Sequence, residues 1–253
     1  MYGKLRRIEG WLSRTDFELL KEISAYQNER NLDGAVVEIG VHHGKSFIPL
    51  AKLNGGHRSY AIDIFENQDL NLDQSGSGNF GAFMANLRRF GIAADAIVVD
   101  KRPSDEATPG DILDRVGPVR LFHIDGGHHV DAVMNDIRLA LDVTTPHGVI
   151  VVDDVFRPEW PEVTMGVFGT SLLQERGFVP FAIGFNKTCF CAQSQVAAYQ
   201  EALGRNRLLA ILRSKVYRVG ASPIFVYQRY PLPEWGLAKL VMWVMEMYFP
   251  GLY

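Results

Sequence analysis

The 253-residue sequence predicts a doubly wound α/β fold, a mostly parallel seven-stranded sheet with an antiparallel hairpin at one edge. Three observations carry this expectation. Five short runs rich in Val and Ile alternate with helical patterns. The runs are almost continuously apolar, which marks strands buried on both faces rather than strands with one wet side. Past residue 177 the alternation gives way to two strand-like runs around a turn.

The five runs are Ala35–Gly40, Ser59–Phe65, Ala96–Asp100, Val119–Asp125 and Gly148–Asp154. Between the last two, Val130, Val133, Ile137 and Leu141 fall on one face of a helix. Right-handed crossovers between parallel strands place helices on both sides of such a sheet. Phe178–Gly184 and Lys187–Ala192 read as a hairpin about Phe185-Asn186. Ahead of the sheet, 11–30 has a helical pattern that would cap the strand ends. Behind the hairpin, 195–215 reads as helix, 222–230 as extended chain and 237–249 as a short apolar helix. No Pro/Gly/Ser-rich linker separates these pieces. The expected organisation is a helical cap over 1–32, a core over 33–194 and an extension over 195–253.

Composition narrows the class. With 47% hydrophobic and 22% charged residues the chain is neither disordered nor collagen-like, and its two cysteines build no disulfide framework. MYGKLRRIEGWLSRTDF lacks the apolar stretch of a signal peptide, and no window reaches the ~18 apolar residues of a membrane span. A cytoplasmic location is expected. The net charge of −3 combines +4 on residues 195–253 with −7 on residues 1–194. An acidic body argues against a nucleic-acid surface. The apolar stretch 235–253 could serve as a peripheral membrane contact or a homo-oligomer interface, although packing on the body of the domain is at least as good a reading.

In an open α/β sheet ligands bind beyond the carboxyl ends of the strands, so the strand-ending residues are the candidates. The first strand ends in Glu38-Ile-Gly40-Val-His-His-Gly44, where the glycines let the backbone approach a ligand; three residues between them, not four, exclude a P-loop. Asp63 follows the second strand at the distance where nucleoside-binding folds place an acid for the ribose hydroxyls. Gly76-Ser-Gly78-Asn-Phe-Gly81 matches GxGxxG, but no strand precedes it. The segment reads as a long polar loop able to fold over a substrate. The fourth strand ends in His123-Ile-Asp125-Gly-Gly-His128-His129 and the fifth in Asp153-Asp154. If these strands are neighbours, three carboxylates converge about 4.8 Å apart, and a hard divalent cation would offset their repulsion. His42 and His43 read as exposed loop residues, and Cys189 and Cys191 as buried thiols on one face of a strand.

These motifs resemble those of class I S-adenosylmethionine-dependent methyltransferases, with their Rossmann-like fold. More narrowly, Ile124-Asp125-Gly126-x-His128 followed by Asp153-Asp154 is similar to the metal-dependent sugar O-methyltransferases of the macrolide type, a motif shared by cephalosporin-hydroxylase-like proteins. The resemblance covers about residues 33–194. It implies that Glu38, Gly40, Gly44, Asp63, Ser104 and Asp125 bind S-adenosyl-L-methionine. It further implies that Asp125, Asp153 and Asp154 hold Mg²⁺ (Mn²⁺ as a substitute) and that His128 is the base, with His129 as the neighbouring alternative. The acceptor would be a hydroxylated, sugar-containing or vicinal-diol small molecule. Hydroxylase-like chemistry, N-methylation and a non-catalytic cofactor-binding role stand as alternatives on the same fold.

Overall fold

The computed structural model describes residues 1–219 and 222–227. The stretches expected over 228–230 and 237–249, and the proposed role of 235–253, lie outside the described residues. Nine strands form one sheet: β1 (Ala35–Ile39), β2 (Ser59–Ile62), β3 (Ile97–Asp100), β4 (Val119–Ile124), β5 (Thr144–Val152), β6 (Phe178–Ile183), β7 (Thr188–Ala192), β8 (Arg213–Val219) and β9 (Ser222–Tyr227). Their order across the sheet is β3-β2-β1-β4-β5-β7-β6-β9-β8. The five predicted strands form its parallel half, and β6 and β7 form the predicted hairpin.

The strand count is the correction. The sheet has nine strands rather than seven, because β9 pairs parallel to β6 and β8 pairs antiparallel to β9. The hairpin of β6 and β7 is therefore interior, and the chain after residue 195 contributes to the same sheet. The helix expected over 195–215 breaks at Asn206, whose side chain accepts from the N–H groups of Leu208 and Leu209 and starts a second helix. That helix stops at Leu212, where β8 begins.

Two apolar cores sandwich the sheet. One face of β1, β4 and β5 presents Val36, Leu121, Val149 and Val151 to the Arg14–Glu29 helix and to Phe47, Phe83 and Tyr199. The other presents Val37, Ile39, Phe122, Ile124, Ile150 and Val152 to the Val130–Val143 helix and its neighbours. The N-terminal helix thus covers a face of the sheet, where the sequence suggested a cap over strand ends. Its amphipathic pattern supplies Phe17, Leu19, Leu20 and Ile23 to that face. Cys189 and Cys191 are fully buried in the same core, as expected.

At the amino end of β4, Arg120 is 2% exposed. Its guanidinium donates to Asn28 Oδ1 (2.7 Å), to the Leu32 carbonyl (3.3 Å) and to the Leu53 carbonyl (3.0 Å). It ties the end of the first long helix to the end of the helix that follows β1. Truncation would remove three bonds made by a charged donor, to the exposed Asn28 side chain and to two half-buried carbonyls. Arg120→Met is expected to lower unfolding stability by about 2–4 kcal/mol in urea titrations. Cofactor-site affinity should stay unchanged; wild-type stability of the variant would contradict the assignment.

Candidate active site

Strand order reverses between β1 and β4, since β1 runs on to β2 on one side while β4 leads to β5 on the other. At that point the backbone closes tightly. Gly40, at φ +79°, lies so near β4 that a Cβ there would come within 1.7 Å of the Asp125 carbonyl oxygen. Only glycine satisfies both the left-handed conformation and the contact. A cleft of about 890 Å³ opens beyond these strand ends, lined among others by Gly40, Asp63, Ser104, Asp125, His128, Asp153, Asp154 and Trp160.

The cofactor-side residues divide. Gly40, Asp63 and Ser104 line the cleft. Asp63 anchors the first loop, accepting from the His42 N–H (2.7 Å) and the Phe65 N–H (2.5 Å), and burial raises its carboxyl above the usual range. Each of its oxygens retains a further lone pair toward the cleft. Glu38 and Gly44 depart from expectation, as neither lines the cleft. Glu38 is fully buried on the Val36 face of β1, accepting from the Ser46 hydroxyl (2.5 Å) with His123 Nδ1 at 3.3 Å. The strand's period of two turns its side chain away from the residues that flank it. Gly44 packs against Phe83 and Ile48.

The acids after β4 and β5 form two groups. Asp125, His128 and Asp154 each offer a donor atom within 4.8 Å of one another. Asp153, expected as a third ligand beside Asp125 and Asp154, is engaged elsewhere. Its Oδ1 accepts from the Asp154 N–H (2.9 Å) and its Oδ2 pairs with the buried ammonium of Lys187. Burial works to raise the Asp153 carboxyl, but Lys187 and His123 hold it below the usual range. Asp125 moves the opposite way: burial first, then the charges of Asp153 and Asp154, push its carboxyl well above the usual range. Carboxylates crowded this closely beside an imidazole favour a positive charge between them. That donor set fits a hard divalent cation.

His128, rather than His129, occupies the centre. Its Nδ1 lies 2.8 Å from Asp73 Oδ2, its backbone N–H donates to the same oxygen (2.7 Å), and its Nε2 lies 3.2 Å from Asp154 Oδ2. Burial opposes the charged ring, but the two carboxylates overcome it and raise the imidazole to about 9. Trp160 stacks on the ring with centroids 4.2 Å apart. Asn186 donates to Asp154 Oδ1 (3.1 Å) and so fixes the second acid, which itself adopts a left-handed φ of +55°.

Asp73, Lys187, Trp160 and Asn186 escaped the sequence reading. Asp73 belongs to the polar loop flagged as able to fold over a substrate, and that loop does line the cleft through Leu70, Asn71, Leu72, Asp73 and Gly76. No strand precedes Gly76; the loop holds a single 3-10 turn at Gln68–Leu70, so the GxGxxG match carries no dinucleotide fingerprint. Asp136 on the Val130–Val143 helix is fully buried, with Ser104 the polar side chain that favours its charged form. Burial pushes its carboxyl up to about 7.

Residues 37–155 match a family described as Methyltransferase domain. The solved O-methyltransferase NovP superposes with a TM-score of 0.58 at 13% identity, over 70% of this chain and 78% of that one. The calicheamicin methyltransferase CalS11 gives 0.52 at 16%, over 71% and 80%. The O-methyltransferase from Bacillus cereus in complex with SAH gives 0.52 at 16%, over 75% and 85%. Over residues 37–155 the chain is similar to that methyltransferase family, and its fold is that of the O-methyltransferases it superposes on.

Two outcomes follow from this geometry. Gly40→Ala should weaken binding of S-adenosylhomocysteine at least ~10-fold in calorimetry, because the β1 loop must retreat from Asp125. Gly56→Ala supplies the control, with the same sign of φ (+89°) but nothing within 4 Å of a Cβ. Asp136 predicts a pH effect. Its folded-state value of about 7 exceeds the ordinary ~3.9, so between those values the folded state keeps a proton that the unfolded chain releases. Its contribution to stability is full below about pH 4, falls as pH rises and reaches its floor above about 7. Asp136→Asn should therefore raise the melting temperature at pH 8 and leave it unchanged at pH 4; a decrease at pH 8 would contradict the assignment.

Proposed function

We propose that this methyltransferase methylates a hydroxyl of a sugar-containing or other vicinal-diol small molecule, with Mg²⁺ or Mn²⁺ held by Asp125 and Asp154. The observation that carries the reading is the row Asp73–His128–Asp154 set beside Asp125 in the cleft at the strand-order switch. Proteins of this fold that methylate small molecules, such as the calicheamicin methyltransferase, support the acceptor class. When bound, the cation would fix and acidify the acceptor hydroxyl, and S-adenosylmethionine would supply the methyl group as a sulfonium.

The chain's own residues do the rest. Gly40 gives the cofactor access to the backbone between β1 and β4, Asp63 faces the ribose, and Ser104 stands at the adenine wall. Asp73 holds His128 at Nδ1; a cation on Asp125 and Asp154 would offset the acid that now engages Nε2 and helps raise the ring, and would leave Nε2 as the position that takes the acceptor proton. The charge the ring gains is balanced by Asp73, and Trp160 fixes its plane. Asp153, neutralised by Lys187, keeps Asp125 in place instead of binding the cation itself. The polar loop over 66–79 and the N-terminal segment around Trp11 cover the cleft and exclude water while acceptor and cofactor are aligned.

The test is release of S-adenosylhomocysteine with a panel of glycosides and catechols, with Mg²⁺ or with EDTA. Turnover should require both a diol acceptor and the metal. His128→Ala should lower kcat by about 10²–10⁴ with cofactor affinity retained. Asp73→Asn should give a smaller loss in kcat. Full turnover in EDTA, or a fully active His128→Ala enzyme, would overturn the reading.

A further inference from the structure

A second group of metal-ligating side chains lies on the opposite side of the cofactor loop from Asp154. His42 and His43 follow β1, and Glu9 comes from the segment before the first long helix. The sequence suggested two exposed loop histidines. In the structure the His43 side chain is only 12% exposed, and its Nδ1 lies 3.6 Å from Glu9 Oε2. The two imidazoles lie side by side, with ring centroids 4.0 Å apart and planes inclined by 34°.

Adjacent side chains of an extended chain point to opposite sides. His42 avoids this by adopting φ +50°, a left-handed conformation that histidine seldom takes. The conformation is tied down on both flanks. The His42 N–H donates to Asp63, and the His43 carbonyl accepts from Asn86 Nδ2 (3.0 Å). Despite their burial, His42 Nδ1 and His43 Nε2 have no hydrogen-bond partner among the described residues. Buried ring nitrogens are seldom left unmatched without a reason. A cavity of about 30 Å³, enough for one ion or one water, lies beside Glu9, Gly10, His42 and Lys45, with His43 outside its lining.

We propose that Glu9, His42 and His43 form a second metal site, selective for a borderline transition metal such as Zn²⁺. Each offers one donor atom, and the three lie within 4.8 Å of one another. Two imidazoles and one carboxylate are donors that Zn²⁺ accepts and Mg²⁺ does not favour, which separates this site from the all-acid side of the cleft. Three protein ligands leave a fourth position for water. The Gly10 carbonyl already accepts from Lys45 Nζ on the cofactor loop (2.5 Å), and Gly10 to Thr15 line the cleft. A metal here would staple the N-terminal segment to the loop that approaches the cofactor.

The experiment uses the full chain without a histidine tag, titrated with Co²⁺ as a spectroscopic probe and with Zn²⁺ alone. Wild type should develop visible ligand-field bands at one equivalent of Co²⁺, displaced by Zn²⁺. Zinc at about 100-fold over its Kd should raise Tm by roughly 5–10 °C. His43→Ala, and His42→Asn, whose side chain tolerates the left-handed backbone, should lose the bands and the Tm shift while still binding S-adenosylhomocysteine. Asp154→Asn should retain both signals. Absence of the bands in wild type, their persistence in both histidine variants, or their loss in Asp154→Asn would each overturn the site.

Discussion

The buried ammonium of Lys187 holds the site together. It sits at the start of β7, is 1% exposed, and pairs with Asp153 at the end of β5. Asp153, Asp125 and Asp16 all act to raise its pKa against the burial that would lower it. Asp16 belongs to the N-terminal helix and accepts from the Phe185 N–H (2.9 Å), so one cation beside β7 gathers charge from the ends of β4 and β5 and from that helix. Removing one member of such a set strands the others in low dielectric, which is why buried pairs are costly to break even where forming them gains little. Lys187 also decides which acids remain free. By engaging Asp153 it leaves Asp125 and Asp154 to face the cleft.

The second constraint is steric. The strand-order switch forces the loops after β1 and β4 to leave the sheet side by side, and the missing Cβ at Gly40 sets how closely. One loop then carries the backbone approach to a nucleoside, and the other carries Asp125 and His128. The two loops come into register because neighbouring strands end at the same level, with Ile39 opposite Ile124 and Ile124 opposite Val152.

The parallel half of the sheet was legible because burial on both faces leaves a signature that needs no partner to be read: AVVEI, VRLFHI and GVIVV are mostly apolar and do not alternate, with Glu38, Arg120 and His123 as their polar exceptions. Gly40, Asp63, Ser104, Asp125, His128 and Asp154 were legible because topology alone brings strand ends to one edge. Glu38 was misjudged, since a motif position does not state which face of the strand it occupies. The edge strands β8 and β9 were missed or shortened because Arg213 to Val219 alternates weakly and follows a helix without a breaker. Asp73 and Lys187 could not have been found from spacing. Their partners lie 55 and 34 residues away along the chain, and each is placed by a loop whose conformation depends on the folded sheet.

Asp73 divides the labour between the rigid and adaptable parts of the site. The groups that must face the cofactor sit on strand ends or on loops pinned by backbone hydrogen bonds, as Asp63 pins His42. Asp73 instead rides a polar loop that contributes no side chain to either core between Leu70 and Gly78, with Leu72 76% exposed at its crest. Two of its hydrogen bonds end on His128, one to the ring and one to the backbone. The orientation of His128 is thereby coupled to the position of that loop over the cleft. A loop with so little buried apolar surface opens at small free-energy cost. Opening it would release Nδ1 of His128, so the ring would keep this orientation only while the loop lies over the cleft. If His128 is the base, as proposed, covering the cleft and orienting it would be a single event, a coupling that would protect the cofactor from water in the absence of an acceptor.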